Sequence, residues 1–89
     1  MNRQKITQEN IDNAVEEFRN MLMFRLKEKG THSLASRHEA LGLVATKYHE
    51  LNDAVEHDDN IENVKGEFLD VAVGCVFAVA CINQKTLDW

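Results

Sequence analysis

The stretch from Phe68 to Ile82 limits the fold more than any other feature of the chain. Its residues are Phe, Leu, Val, Ala, Gly, Cys and Ile, broken by one charged side chain, Asp70. The run falls short of the roughly 18 to 20 apolar residues that a membrane span requires, so it predicts a buried core helix. A carboxylate inside such a helix must be neutralised, paired or bound to a metal, because leaving it charged and alone costs several kcal/mol.

The rest of the chain supplies partners for that helix. Across 89 residues there is no proline, only four glycines and 44% hydrophobic content, a composition suited to uninterrupted helices. Thr7 caps a first helix, 8–29, whose Ile11, Val15, Phe18, Leu22 and Leu26 form one apolar stripe, and Gly30 supplies the C′ stop. A second helix, 34–57, has cap candidates in Thr31, Ser33 and Ser36, with Ser36 and Glu39 at capping-box spacing. It carries a seam of Leu41, Val44, Tyr48, Leu51 and Val55. Asp58, Asp59 and Asn60 make a turn, Asp59 and Glu62 have capping-box spacing, and a third helix covers 61–84. Short loops make neighbours antiparallel. The expected architecture is one all-α domain, 1–89, a three-helix antiparallel unit. Met21, Met23 and Phe24 add apolar surface beyond what one helix contact uses, and a chain this short buries only roughly 60 to 65% of its unfolded surface, so the bundle is expected to be completed by a homodimer or higher oligomer.

Charge narrows the partners. Fifteen Asp and Glu against ten Lys and Arg give a net charge of −5, which repels phosphate backbones and anionic membranes. Arg25, Lys27 and Lys29 sit where the first helix ends and complement its dipole. Met1 leads into Asn2, Arg3, Gln4 and Lys5 without an apolar segment behind them, which gives a cytoplasmic expectation. Cys75 and Cys81 lie on different faces of the third helix and read as small core residues rather than a disulfide. The histidines, His32, His38, His49 and His57, lack the i, i+4 spacing of a helical zinc pair, and no Gly-rich phosphate loop is present.

Candidate chemistry lies in the carboxylates. Glu67 and Asp70, three residues apart, present two acids to one point in space, and two adjacent acids repel unless a cation sits between them. Glu50 and Asp53 repeat that spacing on the preceding helix, and the intervening turn brings the pairs to matching levels. Four oxygen-bearing side chains on facing helices are a set that holds Mg²⁺ or Mn²⁺ with waters left on the ion. The other reading is a solvated stripe of Glu39, Thr46, Glu50, Asp53 and His57.

The segment Lys47-Tyr48-His49-Glu50-Leu51-Asn52-Asp53-Ala54-Val55, a turn, and Glu67-Phe68-Leu69-Asp70-Val71-Ala72 together resemble the MazG-like all-α nucleotide pyrophosphohydrolases, whose pattern is E-x-x-E on one helix and E-x-x-D on the next. The resemblance spans roughly 32–82. It implies a dimeric helical bundle that binds Mg²⁺ and cleaves a nucleoside triphosphate to monophosphate and pyrophosphate by metal-activated water. Glu50 matches the second acid of the first pair; Glu67 and Asp70 match both members of the second. The first acid is missing and Lys47 stands there, with Asp53 one turn along as a substitute ligand. The chain ends at Trp89 without an obvious further helix for the substrate-binding residues of longer relatives. An ammonium at Lys47 also neutralises Glu67 and Asp70 without a metal, leaving an ion-pair cluster in a non-catalytic helical interaction module. Both readings stay open on the sequence.

Overall fold

The computed structural model describes residues 3–58 and 60–87. Three helices, α1 (Gln8–Lys29), α2 (Arg37–His57) and α3 (Ile61–Asn83), account for its regular structure, with no strand among the described residues. Local chemistry sets each boundary. At the start of α1 the Thr7 hydroxyl accepts from the Asn10 amide at 3.1 Å while the Asn10 side chain accepts from the Thr7 amide at 3.0 Å. Gly30 ends the helix at φ 85°, a conformation that costs a side-chain-bearing residue more than glycine. Helix α2 begins at Arg37 rather than 34, because the buried Ser36 hydroxyl accepts from Glu39 N and fixes the cap there; Glu39 reaches past Ser36 to Ala35 N. Asn60 caps α3 by accepting from Glu62 N, and the anticipated role of Asp59 lies outside the described residues.

Helix α3 is the centre. It packs along α2 as an antiparallel hairpin and is crossed by α1, whereas α1 and α2 make no close backbone approach to each other. The hairpin brings Gly74 against Val44, where an added Cβ would stand 3.7 Å away, in ordinary van der Waals contact. Ala40 and Leu51 of α2 and Gly74 and Cys81 of α3 are the buried residues of this seam, with Asp70 beside them.

The inner face of α2 departs from the anticipated seam. Of its five members Leu51 is buried and Val44 half-buried, but Leu41, Tyr48 and Val55 are 68%, 56% and 55% exposed. Their places are taken by Ala40, Leu43, Lys47 and Ala54, mostly small or amphipathic residues that let α2 approach α3 closely. Nor is α3 the buried helix its composition suggests. Only Asp70, Gly74 and Cys81 are buried on it, and by length and composition it is apolar enough to cross a membrane. Cys75 is exposed.

The chain is more open than its mass allows for a finished monomer. A folded protein of 10.2 kDa exposes about 5,300 Å², yet this one exposes 7195 Å², roughly 1,900 Å² more. Its radius of gyration is 15.0 Å, against about 12 Å for a compact domain of this length.

Candidate functional site

Asp70 is answered by α1. Arg25 donates from Nε to Oδ1 at 3.0 Å and from a terminal nitrogen to Oδ2 at 3.1 Å, a bidentate pair that occupies both carboxylate oxygens. The Asp70 side chain is 10% exposed and that of Arg25 is 28%. Hydrogen bonding to Asp70 raises the Arg25 guanidinium further above its ordinary value, and Glu28 adds a second acceptor at 3.1 Å. Arg25 was expected to serve the helix dipole with Lys27 and Lys29. The structure turns it inward instead, because it lies on the stripe that also carries Phe18, Met21, Leu22 and Leu26, the half-buried face of α1. That placement, one cation among apolar residues at helical spacing, is the sequence signal that points to this pair.

The other acids are distributed unevenly. Glu67 projects into the same region, and its Oε2 is buried with no hydrogen-bond partner among the described residues. Burial raises its carboxyl above the usual range, nearby Glu50 and Asp70 push in the same direction, and Lys47 and Arg25 oppose them. The half-buried Lys47 ammonium lies 3.6 Å from Glu50, an ion pair too long for a hydrogen bond. Glu50 itself is half exposed, and Asp53 points into an open hollow with His57, Asp58 and Asn60. The arrangement therefore brings Glu50, Glu67, Asp70, Lys47 and Arg25 into one mixed-charge cluster and leaves Asp53 outside it. Among the described residues no group of three or more His, Cys, Asp or Glu is assembled to hold a metal ion.

Two clefts flank the Arg25–Asp70 pair. One is acidic, bordered by Asp58, Glu62 and Glu67. The other, about 160 Å³, runs between the end of α1, α2 and α3 and carries Arg25, Lys29 and Lys47 against a mainly apolar wall. No protein-family model, no curated protein and no solved structure matches this chain.

Proposed function

We propose that the protein is a self-assembling helical module in which the α2–α3 hairpins of two copies stack into a four-helix bundle. The observation that carries this reading is a pair of exposed, mainly apolar rows, of which only Ala72 is half-buried and only Lys65 is held by α1, through Glu17. On α3, Ile61, Lys65, Phe68, Ala72, Cys75, Val79 and Ile82 alternate steps of four and three, the 3.5-residue period of a packed seam. On α2, Leu41, Ala45, Tyr48, Asn52 and Val55 do the same. At 100° per residue, and with the two helices antiparallel, both rows turn to the side of the hairpin away from α1, except at Lys65, whose ammonium reaches Glu17 of α1 at 2.7 Å. Phe68, Val79 and Ile82 are each more than half exposed there.

A second copy fits this face by area. An excess of roughly 1,900 Å² on each chain amounts to about 3,800 Å² for a pair, within the range of obligate homodimers. Lipid fits less well. Burying α3 in a bilayer would carry α2 with it, including the Lys47–Glu50 pair, His49 and Glu56, at a cost of several kcal/mol for each ionised group left in hydrocarbon. Sedimentation at micromolar concentration should give twice 10.2 kDa, and Phe68→Glu should give a monomer or an unfolded chain; because the variant can unfold, Tyr48→Lys on the neighbouring row is the second probe. A native 10.2 kDa monomer, or recovery of the chain with membranes, overturns the reading.

A MazG-like Mg²⁺-dependent pyrophosphohydrolase is the second reading, favoured by one observation, the unpartnered buried Oε2 of Glu67. The donor set does not fit a resident cation as arranged. Arg25 occupies both oxygens of Asp70, Lys47 stands beside Glu50, and Asp53 faces elsewhere, so an ion would have to displace two cations to reach more than one acid. Calorimetric titration with Mg²⁺ and Mn²⁺, then a screen of nucleoside triphosphates for release of pyrophosphate, tests it directly.

A further inference from the structure

The 160 Å³ cleft at the end of α1 belongs to neither reading, and its lining opposes the charge of the whole chain. The protein carries a net charge of −5, yet Arg25, Lys29 and Lys47 meet here against one acid, Asp70, with His32 at the rim. The cations differ in how far they are satisfied. Arg25 is held by Asp70 and Glu28. Lys47 is half-buried, and its ammonium reaches Glu50 only at 3.6 Å. A half-buried ammonium without a good acceptor has more to gain from an incoming anion than a solvated one.

Beneath the cations the wall is apolar, built from Leu26, Leu43, Val73 and Phe77. Gly74 adds backbone instead of a side chain to the floor. A hydrophobic cavity of roughly 150 Å³ is enough to take a benzene ring. The space is therefore ring-sized, with Phe77 available for offset or edge-on packing. It lies on the α1 side of the hairpin, so stacking of two hairpins through the opposite face leaves it open.

We propose that this cleft binds a small organic anion: one ring-sized apolar body that carries a carboxylate, the ring against Phe77, Val73 and Leu43 and the carboxylate on Lys47 and Lys29. The site requires no metal.

Benzoate titrated into ¹⁵N-labelled protein tests this, because the four glycines are internal reporters. Gly30 and Gly74 line the cleft, and Gly42 and Gly66 do not. Saturable shifts at the Gly30 and Gly74 amides with Gly42 unmoved are expected, with Kd on the order of a millimolar for a ligand of this size. Phenylphosphate should bind comparably or more weakly, and benzyl alcohol and benzylammonium at least tenfold more weakly. Lys29→Met, at an exposed position, should weaken benzoate about fivefold, and Lys47→Met about tenfold, each checked for native fold by circular dichroism. Equal binding of the neutral alcohol would remove the role of the cations. Equal binding of inorganic phosphate would remove the role of the apolar wall. Shifts absent from Gly30 and Gly74, or unchanged affinity in Lys29→Met, would overturn the site.

Discussion

Replacing Arg25 by Met leaves Asp70 in place without its partner. The native pair consists of two charge-assisted hydrogen bonds, 3.0 and 3.1 Å, to a carboxylate whose side chain is 10% exposed. Removing one member of a buried pair costs about 3 to 5 kcal/mol. Arg25 is 28% exposed, and the partial access of water places the expected loss near the lower end, about 3 kcal/mol. For a domain of this size that corresponds to a fall in Tm of roughly 15 °C. The converse substitution is milder: in Asp70→Asn the guanidinium keeps Glu28 and some solvent, so a loss of about 1 kcal/mol is expected. Arg25→Met combined with Asp70→Leu removes both charges and fills the space with apolar atoms, which should return stability to within about 1 kcal/mol of native, or above it. Urea unfolding followed by circular dichroism, at one fixed protein concentration because the proposed association would contribute to stability, yields all three values. Single losses that simply add in the double variant would show that the two side chains do not depend on each other, and the account of how α1 is held would fail.

Two further outcomes follow from the charge cluster. Burial raises the Glu67 carboxyl, so the folded state prefers its protonated form: that contribution to stability is fully present below the ordinary glutamate range and is lost as pH rises through the raised value. Glu67→Gln should therefore gain on native protein between pH 4 and pH 7, by about 1 kcal/mol at neutrality for relief of an unsatisfied buried oxygen; parallel urea midpoints at both pH values would refute it. Lys47→Glu should cost roughly 1 to 3 kcal/mol in EDTA, because it adds an acid beside Glu50 and Glu67, and millimolar Mg²⁺ should recover the loss. Melting curves with EDTA and with Mg²⁺ test both limbs, and no change in either would remove Lys47 from the cluster.

The three helices were legible because their signals are local. Thr7, Gly30 and the absence of proline set α1 at 8–29, and α3 ends one residue before its expected limit. The seam of α2 was not legible, for a physical reason: hydrophobic periodicity gives weight to large side chains, and α2 carries two candidate rows. Leu41, Tyr48 and Val55 outweigh Ala40, Lys47 and Ala54 on any apolar scale, yet the latter set, with Leu43, is the more buried. The site was half legible. An acid in the apolar helix required an answering group, and Glu67 lies near enough to Asp70 for the two acids to repel. The answering group lies 45 residues away in sequence on α1, and helical spacing within α2 and α3 carries no information about a third helix.

The division of labour between the two faces of the hairpin links these results. Small residues between α2 and α3, and two ion pairs between α1 and α3, Arg25–Asp70 at 3.0 Å and Lys65–Glu17 at 2.7 Å, connect the three helices of a single chain. They bury too little apolar area to stabilise them strongly: no side chain in the described chain is completely enclosed. The large residues Tyr48, Val55, Ile61, Phe68, Val79 and Ile82 are left on the surface, and at about 25 cal/mol per Å² their removal from water is where most of the remaining hydrophobic stabilisation resides. In the proposed assembly, such a sequence would specify its fold with polar contacts inside one chain and gain most of its stability between chains. Folding and association should then be one cooperative process, with the cation-lined cleft on the outer, α1 side left accessible in the assembled form.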